Sequence, residues 1–331
     1  MNTTYFTFGS SSTFPYQNGW VEITAKNQKE ACEYFRKLYP HPKHPECLNC
    51  AFVYSEQEFQ NTSMFRDQDN LGAACHQKFN AEKNGITKMD IYNLVIETTR
   101  RCNMACAHCL RGDSENKDMD FDTLLPFLQH VSSISTITFS GGEPTLNVPI
   151  MEQTLSYVKE HDIPVYGFYI VTNGKIIPDE FLTTVIKWYA YCTVCGADEY
   201  SCGISLSKDN FHTEIPYENE SIIKGFSFYR NDKTTNFKKT PLIPRGNALY
   251  LDTREFKTRI HEDEENIRID DFDETTDTYQ LSDATVYISV NGDILADCDY
   301  SYEEMENIAV GNTCNMPAFF NYLQEQYKEN S

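Results

Sequence analysis

Positive charge is scarce in this chain. Lys and Arg together number 28 against 49 Asp and Glu, a formal net charge of -21, which repels a phosphate backbone unless the basic residues are strongly segregated. Nucleic acid is therefore not the expected partner. Long apolar runs are lacking too. No stretch approaches the roughly 18 residues a membrane span needs, and the first ten residues lack the basic-then-apolar order of a signal peptide. The expected location is the cytoplasm, with no membrane partner. Internal repeats and low-complexity tracts are also missing. The acidic excess reads as solvation, densest over residues 261–277, where its functional alternative is repulsion of acidic partners or attraction of a basic peptide.

Cysteine, by contrast, is plentiful. Twelve cysteines without a secretion signal argue against a disulfide framework and for metal or redox chemistry. They cluster: Cys47 and Cys50 form a pair, Cys102, Cys106 and Cys109 a triplet, and Cys192, Cys195 and Cys202 a third group, while Cys32, Cys75, Cys298 and Cys314 stand apart.

The hydrophobic pattern predicts an α/β protein. Residues 5–8 and 20–24 alternate as strands, with Asn18-Gly19 in the turn between them, and Asn27 is placed to cap a helix over 28–39 that stops before Pro40. The polar stretch 79–90 marks a boundary. Beyond it, apolar runs at 92–96, 136–139, 165–171, 203–206 and 240–243 read as buried parallel strands, and helical patterns fall at 121–131, 150–160, 178–189 and 218–228. Asp120 or Asp122, and Asn147 followed by Pro149, mark helix starts. Such βαβ alternation builds an open doubly wound sheet or a closed or partial barrel. Gly141, Asn173 and Ser205 follow one another at a 32-residue step, which puts three strand ends on one rim, the rim where barrels carry their active sites. A strand over 284–290, a turn at Asn291-Gly292, a return over 293–296 and a helix over 317–328 complete the chain. The expected domains are an N-terminal α/β appendage (1–85), a core (86–260) and a C-terminal segment closing it (261–331).

The triplet reads Cys-Asn-Met-Ala-Cys-Ala-His-Cys from Cys102 to Cys109. Three cysteines in a polar loop make a poor core pattern, and zinc sites usually pair two close ligands with two distant ones. Three thiolates can instead hold three irons of a cubane and leave the fourth open for chemistry.

With Glu97-Thr98-Thr99-Arg100-Arg101 leading into those cysteines, and Ser140-Gly141-Gly142-Glu143-Pro144 one βα unit later, the chain resembles the radical S-adenosylmethionine (radical SAM) superfamily over roughly residues 90–250. The resemblance implies a partial (β/α)6 TIM-like barrel with a [4Fe-4S] cluster on Cys102, Cys106 and Cys109. It implies reductive cleavage of S-adenosylmethionine to a 5'-deoxyadenosyl radical that takes hydrogen from a substrate. A reductant such as flavodoxin or ferredoxin is implied as well. Gly141 and Gly142 would let the backbone approach the cofactor, and Glu143 would accept from its ammonium group. His108 matches the position that packs on adenine, Asn173 and Ser205 those contacting ribose and carboxylate, and Arg245 a further cofactor or substrate contact. Lys208, Asp209 and His212 sit in the loop after the fourth strand and read chiefly as loop surface, with a substrate contact or proton relay as the alternative.

Residues 288–293 leading to Cys298, then 308–312, resemble the start of the SPASM or twitch extension of peptide-modifying relatives, so a peptide or small protein is the expected substrate, with a small metabolite or nucleotide, or a non-catalytic metal-binding protein, as alternatives. A full extension needs several more cysteines after Cys298, so the segment is expected to retain its scaffold without an auxiliary cluster. Cys192 and Cys195, expected in a helix-to-strand connection, have with Cys47 and Cys50 the spacing of a structural zinc site, for which Cys75, His76 and His44 are rival ligands.

Overall fold

The computed structural model describes residues 2–66, 75–81, 87–198, 200–230, 241–252, 254–259, 261 and 264–330. The chain divides into two compact units. One comprises residues 1–88, 273–278 and 314–321; the other holds 89–272, 279–313 and 322–331.

In the first unit, β1 (Asn2–Thr7), β2 (Trp20–Ala25), α1 (Gln28–Leu38), β3 (Phe52–Ser55), α2 (Glu56–Gln60), α3 (Ser63–Arg66) and β4 (Cys75–Asn80) follow in order, and the sheet runs β3-β1-β2-β4. Asn18 and Gly19 both take positive φ, 61° and 70°, which these residue types tolerate best. The Asn27 side chain accepts from Glu30 N and starts α1 as its sequence position requires. Phe6 and Phe35 stack at 4.1 Å and join the sheet to the helix.

The second unit contains the βα alternation: β5 (Lys88–Thr99), α4 (Phe121–Leu128), β6 (Val131–Gly141), α5 (Val148–Glu160), β7 (Phe168–Thr172), α6 (Asp179–Cys195), β8 (Cys202–Leu206) and α7 (Tyr217–Lys224). Strands β5 to β8 are parallel neighbours in that order. Every residue of β8 is buried, as a strand covered on both faces should be. On the other side of β5 come β10 (Thr278–Ile288), β11 (Asp293–Leu295) and β12 (Gly311–Asn312), with β9 (Asp271–Asp273) paired to β10. Helices α8 (Tyr302–Ile308) and α9 (Met316–Asn330) complete the chain. No described helix is long and apolar enough to cross a membrane.

The result is a partial, unclosed TIM-like barrel, and several expected boundaries move. Helix α4 ends at Leu128 because β6 begins at Val131, five residues ahead of the expected strand. Helix α6 continues to Cys195 because Trp188 and Cys192 remain on its buried face and the left-handed Gly196, at φ 101°, ends it. Cys192 and Cys195 therefore occupy its last turns and not a connection. Asn147 precedes α5 but makes no side-chain cap; its amide instead donates to the carbonyls of Thr98 (2.7 Å) and Met119 (3.2 Å). The fifth strand expected over 240–243 does not extend β8. Ile204 of β8 forms a single parallel bridge with Tyr229, and Leu242 bridges Thr258. Residue 240 lies outside the described residues.

Candidate active site

Strands β5, β6, β7 and β8 end on one rim, where the cysteine loop, Glu143, Asn173 and Ser207 line a cavity of about 510 Å³. The loop after β5 is fixed by its backbone. Gly142 N donates to Thr99 O (2.7 Å) and Glu143 N to Arg101 O (2.8 Å), so the end of β6 is stitched to the residues entering Cys102. The parallel register shifts between Glu97 and Thr99, opposite Gly141, a bulge that re-aims the departing loop. A Cβ on Gly141 would fall 2.2 Å from Thr99 O, and one on Gly142 2.2 Å from Arg101 O. Both glycines are thus required first by the neighbouring strand end; of the two, Gly142 lines the cavity.

Cys102, Cys106 and Cys109 all line this cavity. Burial pushes the Cys102 and Cys109 thiols above their ordinary range. Three soft donors, gathered in a pocket that disfavours free thiolates, fit a metal cluster, which supplies the positive charge that burial denies them. Asn173 Nδ2 lies 3.9 Å from Cys102 Sγ and donates to Asn103 Oδ1 at 2.7 Å, tying the end of β7 to the loop. From the other side, Asn247 N donates to Cys109 O at 2.9 Å.

Glu143 is 2% exposed. Its Oε1 accepts from Thr145 N (3.2 Å), Thr145 Oγ1 (3.0 Å) and Thr172 Oγ1 (2.6 Å), and its Oε2 from Asn173 N (2.8 Å). Burial nonetheless pushes this carboxyl above its ordinary value, outweighing the donors that pull it down. A carboxylate of this kind at a cavity wall favours a cation, and Oε2, with one donor, keeps acceptor capacity.

The loop after β8 turns inward, contrary to a surface reading of Asp209 and His212. His212 Nδ1 is 2.7 Å from Asp209 Oδ1, and its Nε2 is 3.9 Å from Cys106 Sγ. His108 Nε2 stands 3.4 Å from Asp209 Oδ2, and its ring stacks on Phe211 at 4.4 Å. Burial lowers the His212 imidazole, but Asp209 and Cys106 outweigh it and raise it to about 9. Burial raises the Asp209 carboxyl, while the two histidines and Phe211 N hold it well below its usual range. Lys208 points away and pairs with Glu220 at 2.8 Å. What hid this constellation was the loop between Asp209 and His212; its signal was two histidines and one aspartate on segments that both leave the same rim.

Two candidates lie elsewhere. Ser205 Oγ accepts from Tyr169 Oη (3.0 Å) and donates to Arg230 O (3.2 Å), and Ser207 is the serine that lines the cavity. Arg245 donates to Asp299 O (2.6 Å), lies 3.3 Å from Glu304 Oε1 and covers the Tyr300 ring; it braces the segment after β11. Its neighbours Gly246 and Asn247 meet the cysteine loop instead: a Cβ on Gly246 would fall 2.4 Å from Leu110 O. Sequence reasoning missed Arg111, a half-buried cation two residues past Cys109 that lines the cavity and donates to Tyr300 O at 2.6 Å. An arginine so close to the triplet was its signal.

The remaining cysteines have local partners. The neighbouring Cys202, together with burial, pushes the Cys192 thiol well above its ordinary range. Burial pushes Cys50 up to about 12, with Cys32 beside it, and Cys75 Sγ faces Gln77 O at 3.5 Å. Among the described residues, the groups with three metal-type donors close together are His108, Asp209 and His212, and His261, Asp297 and Asp299. Neither contains Cys47, Cys50, Cys192 or Cys195, so a zinc site on those pairs has no support.

Residues 96–210 match the family model of the radical SAM superfamily. The chain is 35% identical over 98 residues to an uncharacterized protein of Methanocaldococcus jannaschii, covering 29% of this chain and 34% of that one. It is 34% identical over 95 residues to the tungsten-containing aldehyde ferredoxin oxidoreductase cofactor-modifying protein of Pyrococcus furiosus, covering 27% and 26%. These matches span about a third or less of the curated relatives' length. Among solved structures, Streptococcus suis SuiB bound to precursor peptide SuiA is similar at TM-score 0.33 and 17% identity, over 71% of this chain and 66% of that one. Residues 96–210, which contain the cysteine loop, Glu143 and Asn173, are the part of the chain that matches the radical SAM superfamily.

Proposed function

We propose that this protein is a radical SAM enzyme that cleaves S-adenosylmethionine at a [4Fe-4S] cluster held by Cys102, Cys106 and Cys109, and that a peptide or small protein is the substrate it modifies. The observation that carries the reading is the shared cavity of those three cysteines and the buried Glu143. The chemistry a bound cluster supplies there is one electron for reductive cleavage of S-adenosylmethionine, giving a radical that removes hydrogen from a substrate.

The chain's own residues bind and orient. Glu143 Oε2 receives the ammonium group of S-adenosylmethionine. Asn173 holds the Cys102 side of the loop, and Asn247 the Cys109 side, in one geometry. His108, stacked on Phe211 and tethered by Asp209, gives the cavity a flat wall for the adenine. An external reductant such as flavodoxin or ferredoxin delivers the electron. The peptide reading rests on the resemblance of the segment around Cys298 to the twitch extension and on the acidic charge, which disfavours RNA. A small-molecule substrate is the second reading, favoured by the relative named as cofactor-modifying.

Anaerobic reconstitution tests the reading. The protein should turn brown and form 5'-deoxyadenosine with a reductant; Cys106→Ala should abolish both, whereas Cys192→Ala should leave both largely intact. Equal loss in the two variants, or a colourless preparation that binds only zinc, would overturn it.

A further inference from the structure

A second group of donors lies apart from the cysteine loop. His261 belongs to the segment following Leu242–Arg259, and Asp297 and Asp299 to the turn after β11. His261 Nε2 is 2.9 Å from Asp297 Oδ2 and 3.5 Å from Asp299 Oδ2, and the three donor atoms fall within 4.8 Å of one another. Asp297 is buried, and its other oxygen accepts from the N–H groups of Cys298 and Asp299, which leaves Oδ2 aimed at the imidazole.

Among the described residues, the ion pairs of Asp297 and Asp299 both run to His261. Two carboxylates converge on one ring nitrogen, whose single N–H satisfies one acceptor and whose imidazolium form carries one positive charge against two negative. Arg245, whose guanidinium touches the same turn, donates to the Asp299 carbonyl and pairs with Glu304. A dication in place of the proton would accept both carboxylate oxygens and the nitrogen together.

We propose that His261, Asp297 and Asp299 form a mononuclear site for a divalent transition-metal ion such as zinc, cobalt or iron(II). One imidazole and two carboxylates form a borderline-to-hard donor set, which selects against the soft ions that thiolates prefer. Asp299 also lines the cysteine cavity, which puts the ion at its margin. The site uses none of the cluster's ligands and stands or falls apart from the radical SAM reading.

The test is a Co(II) titration of the full chain carrying Cys102→Ala, Cys106→Ala and Cys109→Ala, so that the loop thiols do not compete. Saturable binding with visible Co(II) absorption is expected, weakened on the order of tenfold or more by Asp297→Asn or by His261→Gln. If the triple variant does not fold by circular dichroism, zinc is counted by mass spectrometry on the cluster-loaded protein, where Asp297→Asn and Asp299→Asn should each remove a zinc equivalent without lowering iron. Absence of saturable binding in a folded triple variant, or unchanged metal content in the aspartate variants, overturns the site. A failure to form 5'-deoxyadenosine would count against the cluster reading alone.

Discussion

Glu97 and Glu143 are two buried carboxylates at adjacent strand ends, and they are treated in opposite ways. Glu97, 0% exposed, lies 3.2 Å from Arg100 Nε and accepts from Tyr287 Oη and Val290 N, each at 2.9 Å. Arg100 in turn reaches Glu115 at 3.1 Å and covers the Tyr302 ring. That charge is consumed inside the fold: it joins β5 to β10 and to the hairpin that follows. Glu143 has four donors, and among the described residues all of them are neutral. Among the described residues it forms no ion pair, although Arg111 lines the same cavity. A buried ion pair serves architecture; a buried carboxylate supported by neutral dipoles alone is disposed to receive a ligand.

The largest effect that would break this contrast is on stability. Glu97→Gln leaves the buried Arg100 with Glu115 alone and should cost about 3 kcal/mol in denaturant unfolding. A loss below about 1 kcal/mol would show that Glu97 is not structural. For Glu143 the sign of the pH dependence is the sharper test. A carboxyl whose folded pKa lies above its unfolded value binds the proton more tightly in the native state, so its contribution is most favourable at low pH. Native stability should then fall as pH rises from the ordinary value of 4.5 through the raised one, by at most about 1.4 kcal/mol per unit within that window. Urea unfolding of wild type and Glu143→Gln across this range should show that slope in wild type and lose it in the variant; parallel profiles would contradict the reading. Smallest is Thr172→Val, which removes one donor from Oε1. It should cost about 1 kcal/mol and move the same window upward.

The cysteine loop and Glu143 could be read from the sequence because their chemistry is contained in short segments, and backbone hydrogen bonds between neighbouring strand ends fix where they go. The step of Gly141, Asn173 and Ser205 located the rim correctly, but period alone does not say which side chain enters the cavity. Asn173 enters it, whereas Ser205 turns to Tyr169 and Arg230 and leaves the place to Ser207. Arg245 was in the right segment, yet its side chain is captured by Asp299, Glu304 and Tyr300, all distant in sequence. The inward turn of Asp209 and His212 was invisible for the same reason, since it depends on His108 and Cys106 lying across the cavity. The reach of α6 to Cys195 depended on the burial of Trp188 and Cys192, which the local pattern understated.

The most direct test of the contrast is calorimetric titration of S-adenosylmethionine into anaerobic, cluster-loaded protein, comparing wild type with Glu143→Gln. If Glu143 receives the ammonium group, the variant should retain its iron and bind on the order of tenfold more weakly or worse, the worth of one hydrogen bond to a charged group. Equal affinity in the two proteins would contradict the assignment of Glu143 as the waiting charge.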